Sequence, residues 1–342
     1  MNGQALVDIA RTLVGTGRGL LAIDESTTTC NKRFAKFGIP QTVDARRSYR
    51  DLIITTAGLA EDISGVILYD ETIRQGKQDG GSFLDCLSDA RIIAGIKVDI
   101  GAKELAGSPG EKVTEGLDGL RDRLEEYFLM GARFAKWRAV IAIGNHRPRR
   151  GCIEANAHAL ARYAALAQEA GLVPVVEPEV LMDGDHTLEQ CREATEDSLN
   201  MVFEQLRSQR VLLEGMILKP NMVLPGLTCP HQETVNEVAA ATVKCLLEVV
   251  PAAVPGIAFL SGGQSGELAS ARLNAMHSKI RPGAPLPWSL TFSFGRAIQE
   301  PALEIWGGED SHRGAAQQAL LHRAHCNRVA LQGDYSAAME RA

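Results

Sequence analysis

The chain has 342 residues, of which 45% are hydrophobic and 23% charged, enough to bury a substantial core in one domain. Its formal net charge of -6 excludes a general electrostatic attraction to nucleic acid or to an anionic membrane. An anionic ligand must therefore be held by a local basic site.

The first residues mix polar and apolar side chains as an amphipathic helix does, and they lack the charged and apolar regions of a signal peptide. No apolar run reaches the roughly 20 residues that cross a bilayer. Seven cysteines are scattered without a CxxC pair, which favours reduced thiols over a disulfide framework. We expect a cytoplasmic protein that binds neither membranes nor nucleic acid.

Short apolar runs rich in Val, Ile, Leu and Phe alternate with stretches of helical periodicity. Eight runs are predicted as strands: Leu20–Asp24, Gly65–Glu71, Ala94–Asp99, Phe134–Ile143, Val173–Val180, Gly215–Val223, Ile257–Gly263 and Trp288–Gly295. Near-continuous apolar strands between helices indicate a parallel sheet covered on its outer face, and eight such units close a barrel. The predicted fold is α/β: a single (β/α)8 TIM barrel over residues 1–342, with an additional N-terminal helix and a short, mobile C-terminal tail from about residue 335.

Apolar residues at three- and four-residue spacing predict the intervening helices. These are Arg46–Leu59, Leu117–Met130, Ala155–Ala170, Leu188–Leu206, Glu233–Val249 and Glu267–Ile280. The Pro- and Gly-rich segment Arg281–Pro287 is predicted as a loop before the eighth strand.

Ionisable residues interrupt the strands near their carboxyl ends, which face the catalytic mouth of a barrel. They are Asp24, Lys97, Asp99, Lys136, Arg138, Glu177, Glu179 and Lys219. A lysine in an apolar strand is costly unless paired, because low dielectric disfavours the ammonium. Salt bridges that merely line the barrel are the alternative. Since inward-facing layers are usually apolar, three lysines and the carboxylates Asp24, Glu177 and Glu179 at one mouth favour a catalytic site.

Glycine-containing segments follow the seventh and eighth strands, where barrels commonly bind phosphate. Ser261-Gly262-Gly263 and Gly295-Arg296 each lead into a predicted helix, whose first N–H groups favour an anion, and Arg296 adds a charged fork. Alone, the Ser-Gly-Gly segment would be read as a structural turn. Its position after strand seven favours a phosphate site.

A second basic cluster, Lys32 and Arg33, follows the first strand. It is placed to meet a second phosphate group. A solvated helix face is the alternative and, from these residues alone, the favoured one.

Other catalytic motifs are missing from the sequence. The histidines form neither HxH nor HExxH, and His322 and His325 are interpreted as surface or packing residues. There is no GxSxG elbow and no GxGxxG after a strand. Hydrolases and dehydrogenases lose support, and we expect neither a metal nor an organic cofactor.

A lysine among lysines and carboxylates, beside a phosphate site, fits imine chemistry on a phosphorylated carbonyl compound. The attacking lysine must be neutral, a form that burial and a neighbouring ammonium favour, and Lys136 is expected to be that neighbour of Lys219. The protonated imine is then the electron sink for C–C cleavage, a part that zinc takes in metal-dependent aldolases.

Seven segments resemble, in order and from about residue 10 to about residue 335, the signatures of class I fructose-bisphosphate aldolases. They are LLAIDEST at 20–27, GIKVD at 95–99, FAKWR at 134–138, VVEPE at 175–179, LKPNMV at 218–223, FLSGGQS at 259–265 and FSFGRA at 292–297. The resemblance implies a metal-independent homotetrameric lyase of glycolysis and gluconeogenesis. Such an enzyme reversibly cleaves fructose 1,6-bisphosphate into dihydroxyacetone phosphate and glyceraldehyde 3-phosphate through a lysine Schiff base.

The resemblance also implies roles for individual residues. Lys219 corresponds to the Schiff-base lysine, and Glu177 to the acid/base of carbinolamine dehydration. Lys136 matches the lysine that perturbs the Schiff-base lysine, and Asp24 the aspartate that assists C–C cleavage. The remaining matches are Glu179 and Arg138 in the polar wall, Lys97 at a substrate hydroxyl or phosphate, Ser261, Gly262, Gly295 and Arg296 at one phosphate, and Lys32 and Arg33 at the other.

Two features depart from the family pattern. Animal members end in a tyrosine that assists proton transfer, whereas Tyr335 lies too early in the chain to be equated with it. Thr28-Thr29-Cys30 stands where small Gly and Ser residues are more frequent.

Two rival interpretations stay open at this point. One is another Schiff-base aldolase, acting on a keto-acid or resembling transaldolase. The other is a non-catalytic scaffold that binds sugar phosphates.

Overall fold

The computed structural model describes residues 3–278 and 285–341. Its strands are β1 Gly19–Ala22, β2 Ile63–Leu68, β3 Ile93–Lys97, β4 Gly101–Glu104, β5 Lys112–Glu115, β6 Phe134–Ile141, β7 Val173–Val180, β8 Ile217–Leu218, β9 Gly256–Phe259 and β10 Ser289–Phe294. Eight of them close a parallel barrel in the order β1-β10-β9-β8-β7-β6-β3-β2. The predicted TIM barrel is confirmed, because each predicted strand overlaps one barrel strand.

Helices surround the barrel. They are α1 Gly3–Val14, α2 Thr27–Lys36, α3 Val43–Ile54, α4 Asp70–Ile73, α5 Phe83–Asp89, α6 Leu120–Met130, α7 Arg150–Glu169, α8 Leu188–Ser208, α9 Val235–Val249, α10 Gly266–Ser278, α11 Arg296–Trp306 and α12 Arg313–Ala330. Thr187 and Thr234 begin α8 and α9 with capping boxes, which satisfy N–H groups that a helix end leaves free. Within the predicted loop Arg281–Pro287, residues 281–284 lie outside the described residues.

The additional N-terminal helix α1 covers the amino ends of the barrel strands. Its apolar face packs with inward-facing strand residues in one buried cluster. The Ser64 hydroxyl donates a hydrogen bond of 2.7 Å to the Leu13 carbonyl, and a Cβ on Gly256 would collide with Val14. The helix is therefore the floor of the barrel and leaves the carboxyl ends of the strands as its mouth.

Two glycines let phenylalanines fill the barrel interior. A Cβ on Gly95 would lie 2.3 Å from the Phe134 ring, and one on Gly19 would lie 2.4 Å from the Phe292 ring. Both rings are fully buried. Interiors are packed as densely as organic crystals, so a larger residue at either glycine would displace an aromatic ring.

A two-stranded antiparallel hairpin, β4 with β5, stands beside the barrel mouth and was not predicted. Its strands are four residues long, and Lys103, Glu104 and Lys112 are exposed. The Thr114 hydroxyl donates a hydrogen bond of 2.8 Å to the Arg138 carbonyl, which fixes the hairpin to β6.

The predicted C-terminal tail makes specific contacts as far as Arg341, the last residue that the structure describes. Residues Ala337–Arg341 form a 3-10 turn. Tyr335 is buried, its hydroxyl donates a hydrogen bond of 2.7 Å to Glu340, and Arg323 forms an ion pair with the same carboxylate. The tail thus packs against α12. None of the described helices is long and apolar enough to cross a membrane.

Candidate active site

A cavity of about 1500 Å³ opens at the carboxyl ends of the barrel strands. Every residue that the sequence singled out as a candidate lines it: Asp24, Lys32, Arg33, Lys97, Lys136, Arg138, Glu177, Glu179, Lys219, Ser261, Gly262, Gly295 and Arg296. Residues distant in sequence meet here because parallel strands bring their carboxyl ends to one rim.

A chain of alternating charges crosses the floor of the cavity. The Lys136 ammonium lies 2.6 Å from Asp24 Oδ2 and 3.3 Å from Glu177 Oε2. Glu177 Oε1 lies 3.2 Å from the Lys219 ammonium. Relative exposure is 9% or less for all four residues. Glu177 therefore bridges the two lysines in a site from which bulk water is largely excluded.

The electrostatic environment keeps Asp24, Glu177 and Lys136 ionised. Burial alone would raise the pKa of Asp24, but the ammonium groups of Lys136 and Lys219 outweigh it and lower that pKa to about 2. Burial opposes ionisation of Glu177 as well, and the same two lysines bring its pKa below the usual value. The pKa of Lys136 is raised, since the carboxylates of Asp24 and Glu177 outweigh the effect of burial.

The lowered pKa of Asp24 predicts an acid-sensitive contribution to stability. An unfolded aspartate titrates near pH 3.8, so the contribution is complete above about pH 5 and is lost as the pH falls from about 4 to 2. In urea unfolding at a series of pH values, the stability difference between wild type and Asp24→Asn should shrink by about 2 kcal/mol over that range. A difference that does not change with pH would contradict this assignment.

Two further ion pairs form the wall of the cavity. Arg138 pairs with Glu179, and Lys97 lies 2.6 Å from Asp99 Oδ1. Asp99 also accepts hydrogen bonds from the backbone N–H of Arg138, at 3.2 Å, and from that of Gly101, at 3.1 Å. Asp99 thereby joins β3, β6 and the start of the hairpin.

The loops after β9 and β10 line the cavity together and contribute one basic residue, Arg296. Gly262 and Gly263 have φ of +60° and +92°, a left-handed conformation that favours glycine, and α10 begins shortly after them. Gly295 caps α11, whose first residue is the exposed Arg296. The Arg296 guanidinium is 3.3 Å from the position that a Cβ on Gly263 would take, so the two loops meet at one place.

Arg33 does not lie on a solvated helix face, as the residues alone had favoured. It is buried and lies 2.5 Å from Glu25, which also binds Arg50 at 2.9 Å. Its Nη2 is buried without a hydrogen-bond partner in the described part of the chain. Lys32 lies beside it on α2 and is exposed.

Glu25 and Ser293 are among the cavity residues to which sequence reasoning gave no site role. Glu25 fixes Arg33 and accepts a hydrogen bond of 2.9 Å from Gln299. Ser293, near the end of β10, lines the cavity and its buried Oγ has no partner among the described residues. The sequence could have indicated both, because Glu25 directly follows Asp24 at the end of the first predicted strand and Ser293 precedes Gly295 at the end of the eighth.

A barrel mouth with two buried lysines bridged by a carboxylate, flanked by basic loops, defines a class of enzyme. It is a TIM-barrel lyase of the imine-forming type that acts on phosphorylated carbonyl compounds.

Comparisons with known proteins show to which family of that class the chain belongs. The Glycolytic family model, described as fructose-bisphosphate aldolase class-I, matches residues 5–342. The chain is 55% identical over 336 residues to a probable fructose-bisphosphate aldolase class 1 of Xanthomonas campestris pv. campestris, covering 98% of this chain and 99% of the relative. It is 46% identical over 333 residues to fructose-bisphosphate aldolase B of Gallus gallus, covering 97% and 91%.

A solved structure agrees with these relatives. The fold matches a ternary co-crystal structure of fructose-bisphosphate aldolase from Plasmodium falciparum in complex with TRAP and a small-molecule inhibitor, with a TM-score of 0.95 and 44% identity. The match covers 98% of this chain and 96% of the other. The chain belongs to the class I fructose-bisphosphate aldolase family. Its reaction is the metal-independent aldol cleavage of fructose 1,6-bisphosphate, which in this family proceeds through a lysine Schiff base.

Proposed function

We propose that Lys219 is the lysine that forms the Schiff base in this chain. The observation that carries the proposal is the position of Glu177, whose two carboxylate oxygens face Lys219 and Lys136 at 3.2 and 3.3 Å. Lys219 thus has an adjacent proton acceptor, and Lys136 remains a fixed positive charge. Lys136, the other lysine in this chain of charges, is also paired with Asp24, at 2.6 Å.

The reaction begins when neutral Lys219 adds to the carbonyl carbon of the open-chain ketose. Glu177 first accepts a proton from the Lys219 ammonium, which makes the amine neutral for this addition. After the addition a proton moves from the nitrogen to the former carbonyl oxygen, and Glu177 then returns its proton to the resulting carbinolamine hydroxyl, which leaves as water. One carboxyl group thereby serves as base and then as acid, a role that proximity to both lysines supports. The product is a protonated imine on Lys219.

Cleavage of the C3–C4 bond sends its electron pair into the imine, which becomes an enamine. The hydroxyl on C4 gives its proton to Glu177, which is again a carboxylate after the dehydration step, and becomes the aldehyde. Asp24 remains a carboxylate at neutral pH, since its pKa is about 2. We assign it the electrostatic stabilisation of the cationic imine beside Lys136, which assists cleavage. Glu179 and Arg138 keep the surrounding wall polar and fixed.

The two ends of the cavity are assigned to the two phosphates. The Ser261–Gly263 loop, Gly295 and Arg296 are the proposed site for one, where glycine backbone and the N-terminus of α11 meet a guanidinium. Arg33, with its unpartnered Nη2, and Lys32 are the proposed site for the other. Lys97 is assigned to a substrate hydroxyl or phosphate between them. The bisphosphate thus spans the cavity with its carbonyl above Lys219.

The proposal extends to cofactors, assembly and location. We propose that the reaction uses no metal or organic cofactor, because the imine supplies the electron sink. The homotetramer implied by family resemblance and a cytoplasmic location, supported by seven free cysteines, are also proposed. Light scattering at dilute concentration tests the first of these two and fractionation of cells the second.

Borohydride reduction tests the nucleophile directly. EDTA-treated protein is incubated with dihydroxyacetone phosphate, reduced, digested and mapped by mass spectrometry. We expect one stable adduct, on Lys219, and full activity after EDTA treatment. An adduct on Lys136 or Lys97 would overturn the assignment, and loss of activity with EDTA would overturn the metal-independent reaction.

A further inference from the structure

A cluster of three potential metal ligands lies where the C-terminal tail meets α12. His322 and Cys326 are four residues apart on α12 and so occupy the same face of the helix. Glu340 comes from the tail. Their ligand atoms, an imidazole nitrogen, a sulfur and a carboxylate oxygen, all lie within 4.8 Å of one another. Among the described residues, those that line the active-site cavity do not include any of the three.

The separations fit a tetrahedral metal ion. His322 Nε2 is 3.6 Å from Cys326 Sγ and 3.7 Å from Glu340 Oε2. A zinc ion with bonds of about 2.0 Å to nitrogen and oxygen and about 2.3 Å to sulfur sets its ligand atoms about 3.3–3.6 Å apart. The two measured distances from His322 therefore need to change only by tenths of an ångström to match a bound zinc ion.

Hydrogen bonds from Tyr335 and Arg323 orient the Glu340 carboxylate. Glu340 Oε1 accepts hydrogen bonds from the Tyr335 hydroxyl, at 2.7 Å, and from Arg323. These two donors occupy one oxygen and leave Oε2 facing His322. Donors that bind a metal-ligating carboxylate in this way hold it in place.

We propose that His322, Cys326 and Glu340 bind a zinc ion that fastens the C-terminal tail to α12. Thiolate and imidazole ligands select zinc over magnesium or calcium, which prefer oxygen. As the Zn–S bond forms, the Cys326 thiol releases its proton to solvent. The His322 side chain is 34% exposed, so a water molecule has access to the fourth position.

The proposed ion is separate from the aldol reaction. Its nearest link to the mouth is Arg323, which pairs with Glu340 and also donates a hydrogen bond of 2.8 Å to Ser270 on α10. Zinc should therefore stabilise the tail and the packing of α10 against α12, while Lys219 needs no metal. Failure of the zinc proposal leaves the assignment of Lys219 intact, because zinc titration tests the former and the borohydride adduct tests the latter.

Titration of the full chain tests the site. The protein is stripped with EDTA, dialysed and titrated with Zn²⁺ in competition with a chromophoric chelator, with a non-chelating reductant present. We expect one tight equivalent, a higher Tm with zinc, and no tight binding of Mg²⁺. Co²⁺ in place of zinc should give a thiolate-to-cobalt absorption band.

Variants assign the ligands. Cys326→Ser and Glu340→Gln should each weaken zinc binding more than about 100-fold. Tyr335→Phe should weaken it about 10-fold, because it removes a hydrogen bond that orients the Glu340 carboxylate. The matched controls are Cys86→Ser and His325→Gln, which should bind zinc as wild type does. Since Cys326 is buried, Glu340→Gln near the chain end tests the site even if Cys326→Ser does not fold. Absence of a tight equivalent, or unchanged binding by Glu340→Gln, would overturn the proposal.

Discussion

Lys219→Arg should lower the turnover of fructose 1,6-bisphosphate by about 10⁴-fold or more. Arginine keeps the positive charge beside Glu177, but its guanidinium stays protonated and does not form the imine. A coupled assay of triose phosphate release measures the loss, and borohydride should no longer trap dihydroxyacetone phosphate. Circular dichroism checks that the variant is folded.

Lys103→Arg is the matched control for this substitution. Lys103 is exposed on the β4 strand of the hairpin and is not among the residues that line the cavity. It should retain wild-type turnover and trapping. Substantial activity in Lys219→Arg, or a trapped adduct that persists in it, would show that another lysine is the nucleophile.

Glu177→Gln should have the next largest effect, a fall in kcat of about 10²–10⁴-fold. The amide keeps the size of the side chain but neither accepts the Lys219 proton nor returns one to the carbinolamine. Formation of the trapped adduct should slow in parallel with kcat, since dehydration precedes the imine. Rapid-quench trapping with borohydride measures that rate, and the KM should change less than kcat.

Glu104→Gln, on the exposed face of the hairpin, is the control for loss of a carboxylate. Glu177 also balances two buried ammonium groups, so its removal should reduce stability, which urea unfolding measures separately. A Glu177→Gln variant that forms the imine at the wild-type rate would assign the proton transfer to a different group.

Much of the fold follows from the sequence because each barrel strand is buried on both faces. Such strands read as short, nearly continuous apolar runs, and the eight predicted runs overlap the eight barrel strands. The ionisable residues stand out against that background. Parallel pairing then explains why they meet: Lys136 is in register with Lys97 on one side, and Arg138 with Glu177 on the other.

The features that were missed depend on contacts between distant segments or on polar surface. Arg33 was interpreted as part of a solvated helix face because its burial depends on Glu25. Glu25 is held in position by Arg50 of α3, a contact that the sequence does not show. The hairpin has strands too short and too exposed to show an apolar pattern. The sequence analysis considered His322 only together with His325, three residues away, and interpreted both as surface or packing residues. In the structure His322 faces Cys326 and Glu340.

Closure of the barrel has a consequence for synthesis on the ribosome. Leu20 of β1 pairs with Ser293 of β10, and α1 packs against Gly256 of β9. The segments α1 and β1 therefore lack these partners until more than 200 further residues have been synthesised. At typical elongation rates that interval is on the order of tens of seconds. Throughout it the nascent chain carries an unpaired strand edge and an uncovered apolar helix face. Neighbouring chains on one messenger can exchange these segments, and we expect chaperone protection to matter most in that interval.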